Sequence, residues 1–486
     1  MPDATLTAMH QDVEVAIFDR GKLHHEHVHD EQLVARGKAA RKNVPRSRQA
    51  ELDLHDRPDP IALLETQAQT RVASLMPIRY GRMLASPFTF FRGAALVMAS
   101  DLSRTPNSGI RAQLCGDAHL LNFGLFGTPE RNLVFDVNDF DETTPGPWEW
   151  DLKRLAASLE IAGRNNGFSK SKRHDIVVDA ARTYHRTMVE LAAMGNLDVF
   201  YVRLNIEAAI AEFAKWMTGR ELKWSTKTVA MAEHHDSEHA VAKLTTLVDG
   251  TRRIVSHPPL IVRFSEIMDK AERAAFEVDV RQLIRGYSES LPYDRRVLFD
   301  RYRFIEIARK VVGVGSVGTR CWIGLFRGAD GDDPLVLQFK EADTSVLERF
   351  AGPSAYSNHG ERVVAGQRLM QAASDILLGW GRSTIDGMPR DFYVRQLRDW
   401  KGSFVVDKML PRGLSLYGRM CGWTLARAHA RSGDRVVIAS YLGTNDNFEE
   451  AIATFAAAYA DQNEQDHEEL VRAVRSGRIR AETVAR

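Results

Sequence analysis

Gly116-Asp117-Ala118-His119-Leu120-Leu121-Asn122, with Asp136-Val137-Asn138-Asp139-Phe140-Asp141-Glu142 shortly after it, is the stretch on which the reading of this chain turns. Ala112, Leu114 and Cys115 form an apolar lead-in, the pattern of a short buried segment that delivers Asp117 to a loop. Breakers follow at Gly124, Gly127 and Pro129, and Leu133-Val134-Phe135 then reads as a buried strand ending in carboxylates. A loop aspartate, an asparagine and a strand-end aspartate suit a phosphoryl-transfer centre. One aspartate would orient or deprotonate an attacking hydroxyl. The asparagine and a second aspartate would hold Mg²⁺, a hard cation that usually takes one or two carboxylates.

A second constellation lies far downstream. Val311 to Arg320 carries Gly-x-Gly-x-x-Gly at Gly313, Gly315 and Gly318. Glycines at a hairpin explain such a motif equally well. Strand-like segments flank it (Phe304 to Val312, Cys321 to Phe326) and no helix pattern opens after it, which disfavours a dinucleotide-binding βαβ unit. Leu335 to Ala342 alternates as a third strand with Lys340 near its end, a helix pattern runs from Arg362 to Leu377, and Phe392 to Leu397 reads as a further strand.

Asp-x₄-Asn followed by a strand-end aspartate resembles the catalytic and metal loops of the protein-kinase-like phosphotransferases. Their small-molecule branch, the aminoglycoside and choline kinases, reads His-Gly-Asp-x-His-x-x-Asn, which Cys115 to Asn122 matches except at the first His. The resemblance implies Asp117 as catalytic base with His119 beside it in the same loop, Asn122 as a metal ligand, and ATP and Mg²⁺ as cofactors. Two positions stay open for the metal aspartate: Asp136 has the better spacing from Asn122, and Asp139-Phe140-Asp141 looks more like Asp-Phe-Gly. Gly313, Gly315, Ser316 and Gly318 resemble the glycine-rich hairpin over the nucleotide phosphates. Lys340 resembles the third-strand lysine, with Glu361 as its helix partner and Glu348 as runner-up. Asp151 resembles a scaffolding aspartate that starts a central helix and braces the catalytic loop. Gly422 to Ala430 is similar to the helix that precedes that loop, which leaves His429 structural.

In such kinases the hairpin and lysine strand come first and the catalytic loop follows; here the order is reversed. The expected fold is therefore α+β, a circularly permuted two-lobed kinase-like fold with a small antiparallel sheet lobe and a large helical lobe. The expected limits are a polar N-terminal arm (1–58), a helical lobe with the catalytic and metal loops (59–300), a hairpin and lysine sheet lobe (301–405), and C-terminal helices returning to the helical lobe (406–486). Over nearly its whole length the chain also resembles a bacterial family, domain of unknown function 2252. The resembling stretches include Arg79-Tyr80-Gly81-Arg82-Met83, Phe91-Arg92-Gly93-Ala94-Ala95, Cys115 to His119, Asn138 to Glu142 and Arg362-Val363-Val364. That family brings no established activity.

Composition narrows the class. With 486 residues, 44% hydrophobic and 27% charged, the chain has the make-up of an ordinary globular protein, and a net charge of +1 argues against dedicated nucleic-acid binding. Three widely spaced cysteines suggest neither a zinc site nor a disulfide framework, and no apolar run reaches the length of a membrane span, so a cytoplasmic enzyme is expected. His24 to Glu31 reads as a solvated arm rather than a metal site. The aromatic and arginine stretch of residues 79–95 reads as a packed helix with arginines reaching water rather than a phosphate pocket. The partners expected are a nucleotide and an unknown small-molecule or protein acceptor; oligomeric state is not legible. The rival readings are AMP transfer on the same scaffold, a nucleotide-binding pseudoenzyme, and a metal-dependent hydrolase using Asp117, His119, Asp136 and Asp139.

Overall fold

A computed structural model describes residues 30–206, 237–328, 333–385, 387–397, 402 and 404–483, so the histidines of the N-terminal cluster lie outside the described residues. The first helix, α1 (Glu31–Asn43), is capped by Asp30, whose side chain accepts the Gln32 amide at 2.8 Å. Helix α2 (Pro60–Ala68) opens on Asp59-Pro60, a capping acid followed by a proline that is harmless in the first turn. It ends at Ala68, and the chain turns aside at Val72, whose N–H donates 2.8 Å to the Gly318 carbonyl. Helices α3 (Met76–Met83), α4 (Pro87–Gly93) and α5 (Ala95–Leu102) follow, α4 started by a reciprocal cap between Ser86 and Thr89.

Strand β1 (Arg111–Leu114) pairs antiparallel with β4 (Thr144–Pro147), and β2 (Phe123–Gly127) pairs with β3 (Leu133–Val137) between them. The two acidic stretches therefore leave two neighbouring ribbons. Helix α6 (Glu149–Asn165) begins immediately after β4, and α7 (Lys170–Ala192) buries Ile176, Val177, Ala180, Ala181, Tyr184 and Met188, the 3–4 spacing of one helix face.

Strands β5 (Thr245–Val248) and β6 (Thr251–Ile254) form a hairpin. The main sheet comprises β7 (Ile261–Arg263), β8 (Arg303–Lys310), β9 (Cys321–Arg327), β10 (Pro334–Ala342), β11 (Gly379–Ile385) and β12 (Met388–Gln396), in the order β11-β12-β10-β9-β8-β7 and antiparallel at every pairing. Helix α8 (Lys270–Ser290) lies against it. Its Phe276, Val280, Leu283 and Tyr287 share a separate core with Trp322, Phe339 and Phe392. Residues 237–300, expected in the helical lobe, thus contribute to the sheet lobe: periodicity marks α8 as amphipathic but does not say which body receives its apolar face. Helix α9 (His359–Met370) spans β10 and β11, and ends earlier than the expected Leu377.

Helices α10 (Pro411–Ser432), α11 (Arg435–Leu442) and α12 (Asn447–Arg475) complete the first body. Trp148 stacks on Tyr184 with ring centroids 5.4 Å apart and also meets Phe448 at 5.5 Å, so residues from both ends of the chain fill one core. Residues 31–58 are not a detached arm either. Helix α1 packs on α11, and Arg57 bridges Asp101 of α5 and Asp466 of α12 at 2.7 and 2.6 Å. No helix among the described residues is long and apolar enough to cross a membrane.

Candidate functional site

The Asp117 loop is held from below. Asp151, in the first turn of α6, accepts the backbone N–H groups of Cys115 (2.7 Å) and Gly116 (3.0 Å). It is the third residue of a helix that starts at Glu149, and its carboxylate braces the loop instead of capping the helix. Behind it, the His429 ring lies 3.4 Å from the Asp151 carboxylate and hydrogen-bonds the Tyr184 hydroxyl at 2.8 Å. Gly116 has φ +84°, and a side chain there would strike the carbonyl of Glu142. The glycine is what lets the Asp117 loop and the acidic run lie against each other.

Asp117 accepts a hydrogen bond from Arg154 at 2.6 Å. Burial pushes the Asp117 carboxyl above its ordinary value, against the pull of Arg154 and Arg92. His119 caps the short turn that follows it, its Nδ1 accepting the Leu121 N–H at 3.2 Å. The Nε2 of His119 sits 3.8 Å from Asp117. Burial, with Arg92 and Arg154 nearby, drives its pKa well down and keeps the ring neutral. The Asn122 side-chain NH₂ donates 2.8 Å to the backbone carbonyl of Asp117, which fixes the amide and leaves its oxygen as the available donor atom.

Across from this loop stands Lys340, on β10 between Cys321 and Tyr393 of the neighbouring strands. Its side chain is 3% exposed, and its Nζ lies 3.5 Å from Asp139 and in tighter contact with Asp141. Burial opposes the charge on Lys340, but the two carboxylates outweigh it and hold its pKa well above the ordinary value. Asp141 also accepts the Tyr393 hydroxyl at 2.8 Å and the Ser316 hydroxyl at 3.3 Å. Burial acts to raise the Asp141 pKa, yet these donors, chiefly Lys340, bring it below the ordinary range, while burial and the neighbouring Asp141 raise that of Asp139.

Asp117, Asn122, Asp139, Asp141, Gly315 and Ser316 line one cleft of ≈ 410 Å³. The glycine segment forms the turn between β8 and β9 and lies over the cleft. Its backbone is fastened to the helical body: Arg71 donates to the carbonyls of Gly315 and Val317, each at 2.6 Å, and Arg82 donates to that of Gly313. Gly318, at φ +93°, packs against Met76 and Arg71 where a side chain has no room.

Two expected residues sit elsewhere. Asp136 is 1% exposed and faces away from the cleft, its carboxylate taken by Arg427 (2.6 Å) and by the N–H groups of Ala372 (2.8 Å) and Val137 (2.9 Å). A strand-end acid whose oxygens are already committed to an arginine on α10 is a packing element, not a metal donor. Glu361 is not the partner of Lys340, whose acidic partners are Asp139 and Asp141. The next residue on α9 turns inward instead: Arg362 donates to the carbonyls of Thr143 (2.6 Å), Asp141 (2.8 Å) and Asp343 (2.8 Å), tying the acidic loop to the sheet lobe. Glu348, the runner-up, lies 3.5 Å from Arg362.

Asp141, Arg71 and Arg92 were not singled out from sequence as site residues. Asp141 had a local signal in the acidic run. Arg92 had only an aromatic neighbourhood and Arg71 no local signal, and Phe88, Phe90 and Phe91 are indeed core. Arg92 and Arg71 line the cleft, however, and Arg79 is fully buried against Gln67 and the Gly93 carbonyl, so these side chains do not simply reach for water.

The fold and site define an α+β protein whose acidic loop meets a buried lysine under a glycine hairpin. The chain belongs to the family described as "Uncharacterized protein conserved in bacteria (DUF2252)", whose pattern matches residues 71–473. No curated protein and no solved structure matches it.

Proposed function

We propose that this cleft binds Mg-ATP and transfers its terminal phosphoryl group to a hydroxyl or amine acceptor, on a circularly permuted kinase-like fold. The observation that carries this reading is that Asp139 and Asp141, the two carboxylates met by buried Lys340, line one cleft with Asp117 and the glycine hairpin. A third-strand lysine paired with the cleft's acids, a covering glycine turn and an Asp-x₄-Asn loop are the parts that phosphoryl transfer uses.

The donor set suits Mg²⁺. Asp139 and Asp141 are adjacent, partly exposed carboxylates, and the fixed amide of Asn122 offers a third hard oxygen. Among the described residues no trio of His, Cys, Asp or Glu side chains is arranged as a metal cage of the kind the hydrolase reading uses. When bound, Mg-ATP supplies the phosphoryl group and neutralises charge on its oxygens. Lys340 and the hairpin N–H groups hold the phosphates. Asp117 orients the acceptor and receives its proton on the carboxylate oxygen that Arg154 leaves free. Arg154 favours the ionised form of that carboxylate, against the burial that raises its pKa.

The test is Mg-dependent nucleotide binding and product analysis on the full-length protein. The reading expects ADP as product, and a loss of roughly a hundredfold or more in turnover for Asp117→Asn with nucleotide binding retained. Pyrophosphate release would turn the reading to AMP transfer. Absence of Mg-nucleotide binding, or unchanged turnover in Asp117→Asn, would overturn it.

A further inference from the structure

We infer that Thr344 is a phosphoryl acceptor of this same cleft, with His359 taking its hydroxyl proton, so that the protein phosphorylates its own chain. The transfer rests on the phosphoryl-transfer reading above; the choice of Thr344 rests on the contacts of the loop that follows β10.

That loop is tied directly to the acidic run. A single nitrogen of Arg362 donates to the carbonyls of both Asp141 and Asp343, each at 2.8 Å. Two residues on, the Ser345 hydroxyl donates to the Glu142 carbonyl at 2.8 Å, and the Val346 N–H donates to the Glu142 carboxylate at 2.7 Å. Thr344 stands between these ties and lines the cleft together with Asp139 and Asp141. A phosphoryl group brought to those carboxylates meets a hydroxyl of the chain itself, and an acceptor held in place needs no encounter with a second molecule.

Chemistry separates Thr344 from the other hydroxyls of the cleft. Thr66, Thr319 and Ser345 donate to backbone carbonyls, and Ser316 donates to Asp141, whose carboxylate Lys340 already holds. The Thr344 hydroxyl lies 3.2 Å from His359 Nε2, within reach of a general base. His359 opens α9, and its backbone N–H is fixed on Asp391 at 2.8 Å, an acid that Arg382 holds in turn. Its Nδ1 is buried and has no hydrogen-bond partner among the described residues. With its proton on Nδ1 the ring presents the Nε2 lone pair to the hydroxyl. In the step, Thr344 Oγ1 forms a bond to the terminal phosphorus of Mg-ATP. The bond from that phosphorus to the oxygen bridging to ADP breaks, ADP leaves, and the hydroxyl proton passes to His359 Nε2. The phosphate then stands in the cleft and adds negative charge beside Asp139 and Asp141, so the reaction stops at one group per chain.

The experiment is incubation of the full-length protein with Mg-ATP, read by intact-mass and peptide mass spectrometry, with nucleotide affinity measured in parallel by calorimetry. The expected result is the mass of one phosphoryl group per chain, mapped to Thr344, gained at a rate that does not depend on protein concentration. Thr344→Val should remove the modification and Thr344→Ser should keep it; the mapping itself is made on the wild type and stands whether or not Thr344→Val folds. His359→Gln should slow the modification roughly a hundredfold, with affinity for a non-hydrolysable ATP analogue unchanged. A wild-type rate in His359→Gln would overturn the role of His359. Binding of Mg-ATP with no phosphate on the chain, phosphate on any other residue, or a rate that rises with protein concentration would overturn the inference and leave the phosphoryl-transfer reading standing. Failure to bind Mg-nucleotide would overturn both.

Discussion

Lys340 Nζ and Asp139 Oδ2 lie 3.5 Å apart across 201 residues of chain. One side chain comes from the middle of the six-stranded sheet, the other from the loop after β3, and Asp141 completes the contact. The ammonium of Lys340 sits on the two carboxylates proposed to hold a divalent cation.

Replacing Lys340 by methionine should therefore have two effects. Turnover should drop by roughly a hundredfold or more, as for loss of a principal electrostatic element. Two partly buried acids should also be left without their cation, so added Mg²⁺ should raise the melting temperature of Lys340→Met by more than it raises that of the wild type. Equal Mg²⁺ responses would separate Lys340 from the metal site.

Asp136 and Asp139 should behave differently. Arg427→Met leaves Asp136 as an unpaired buried carboxylate and should cost about 3–5 kcal/mol of stability. Asp136→Asn should leave the Mg²⁺ dependence of nucleotide affinity as it is, whereas Asp139→Asn should shift it. Denaturant unfolding and Mg²⁺ titrations read the two outcomes.

Asp151 is predicted to act through the loop it holds. Asp151→Ala removes the acceptor for two buried N–H groups, each such bond to a charged group contributing about 1.5–3 kcal/mol. A lowered melting temperature is expected, together with reduced turnover and little change in nucleotide affinity, since Asp151 lies beneath the loop and not in the cleft. A variant as stable as the wild type would contradict the bracing role.

A pH effect is expected at Lys153, on α6. It is fully buried, 3.3 Å from the Thr105 hydroxyl and over the Phe455 ring, and burial lowers its pKa to about 8 against Glu149 and Glu51. The unfolded chain keeps the ordinary value of 10.5, so between pH 8 and 10.5 it binds a proton that the folded protein has released. This group penalises the fold below pH 8, and the penalty fades as pH rises through that window. Lys153→Met should be stabilised relative to the wild type at pH 7, with the difference shrinking toward pH 10. A constant difference across the window would remove Lys153 as its source.

Local pieces were legible in the residues alone: the breaker-bounded loop at Gly116 and Asp117, the strand Leu133-Val134-Phe135 ending in acids, and the glycine turn between two strands. Each depends on residues close in the chain, through turn chemistry or alternation. The tertiary structure decided what those pieces face. It turned Asp136 toward Arg427 and Asp139 toward Lys340, two acids three residues apart with no sequence-level difference in chemistry. It set Arg362 instead of Glu361 against the acidic loop, because adjacent helical residues point about 100° apart and only packing chooses between them. It gave α8 to the sheet and α10 to the helical body, although both are amphipathic helices. It also placed Arg71 and Arg92 in the cleft. A guanidinium next to buried aromatics carries no local mark of whether its charge meets water, a carboxylate or a ligand; the long-range fold of the chain settles that.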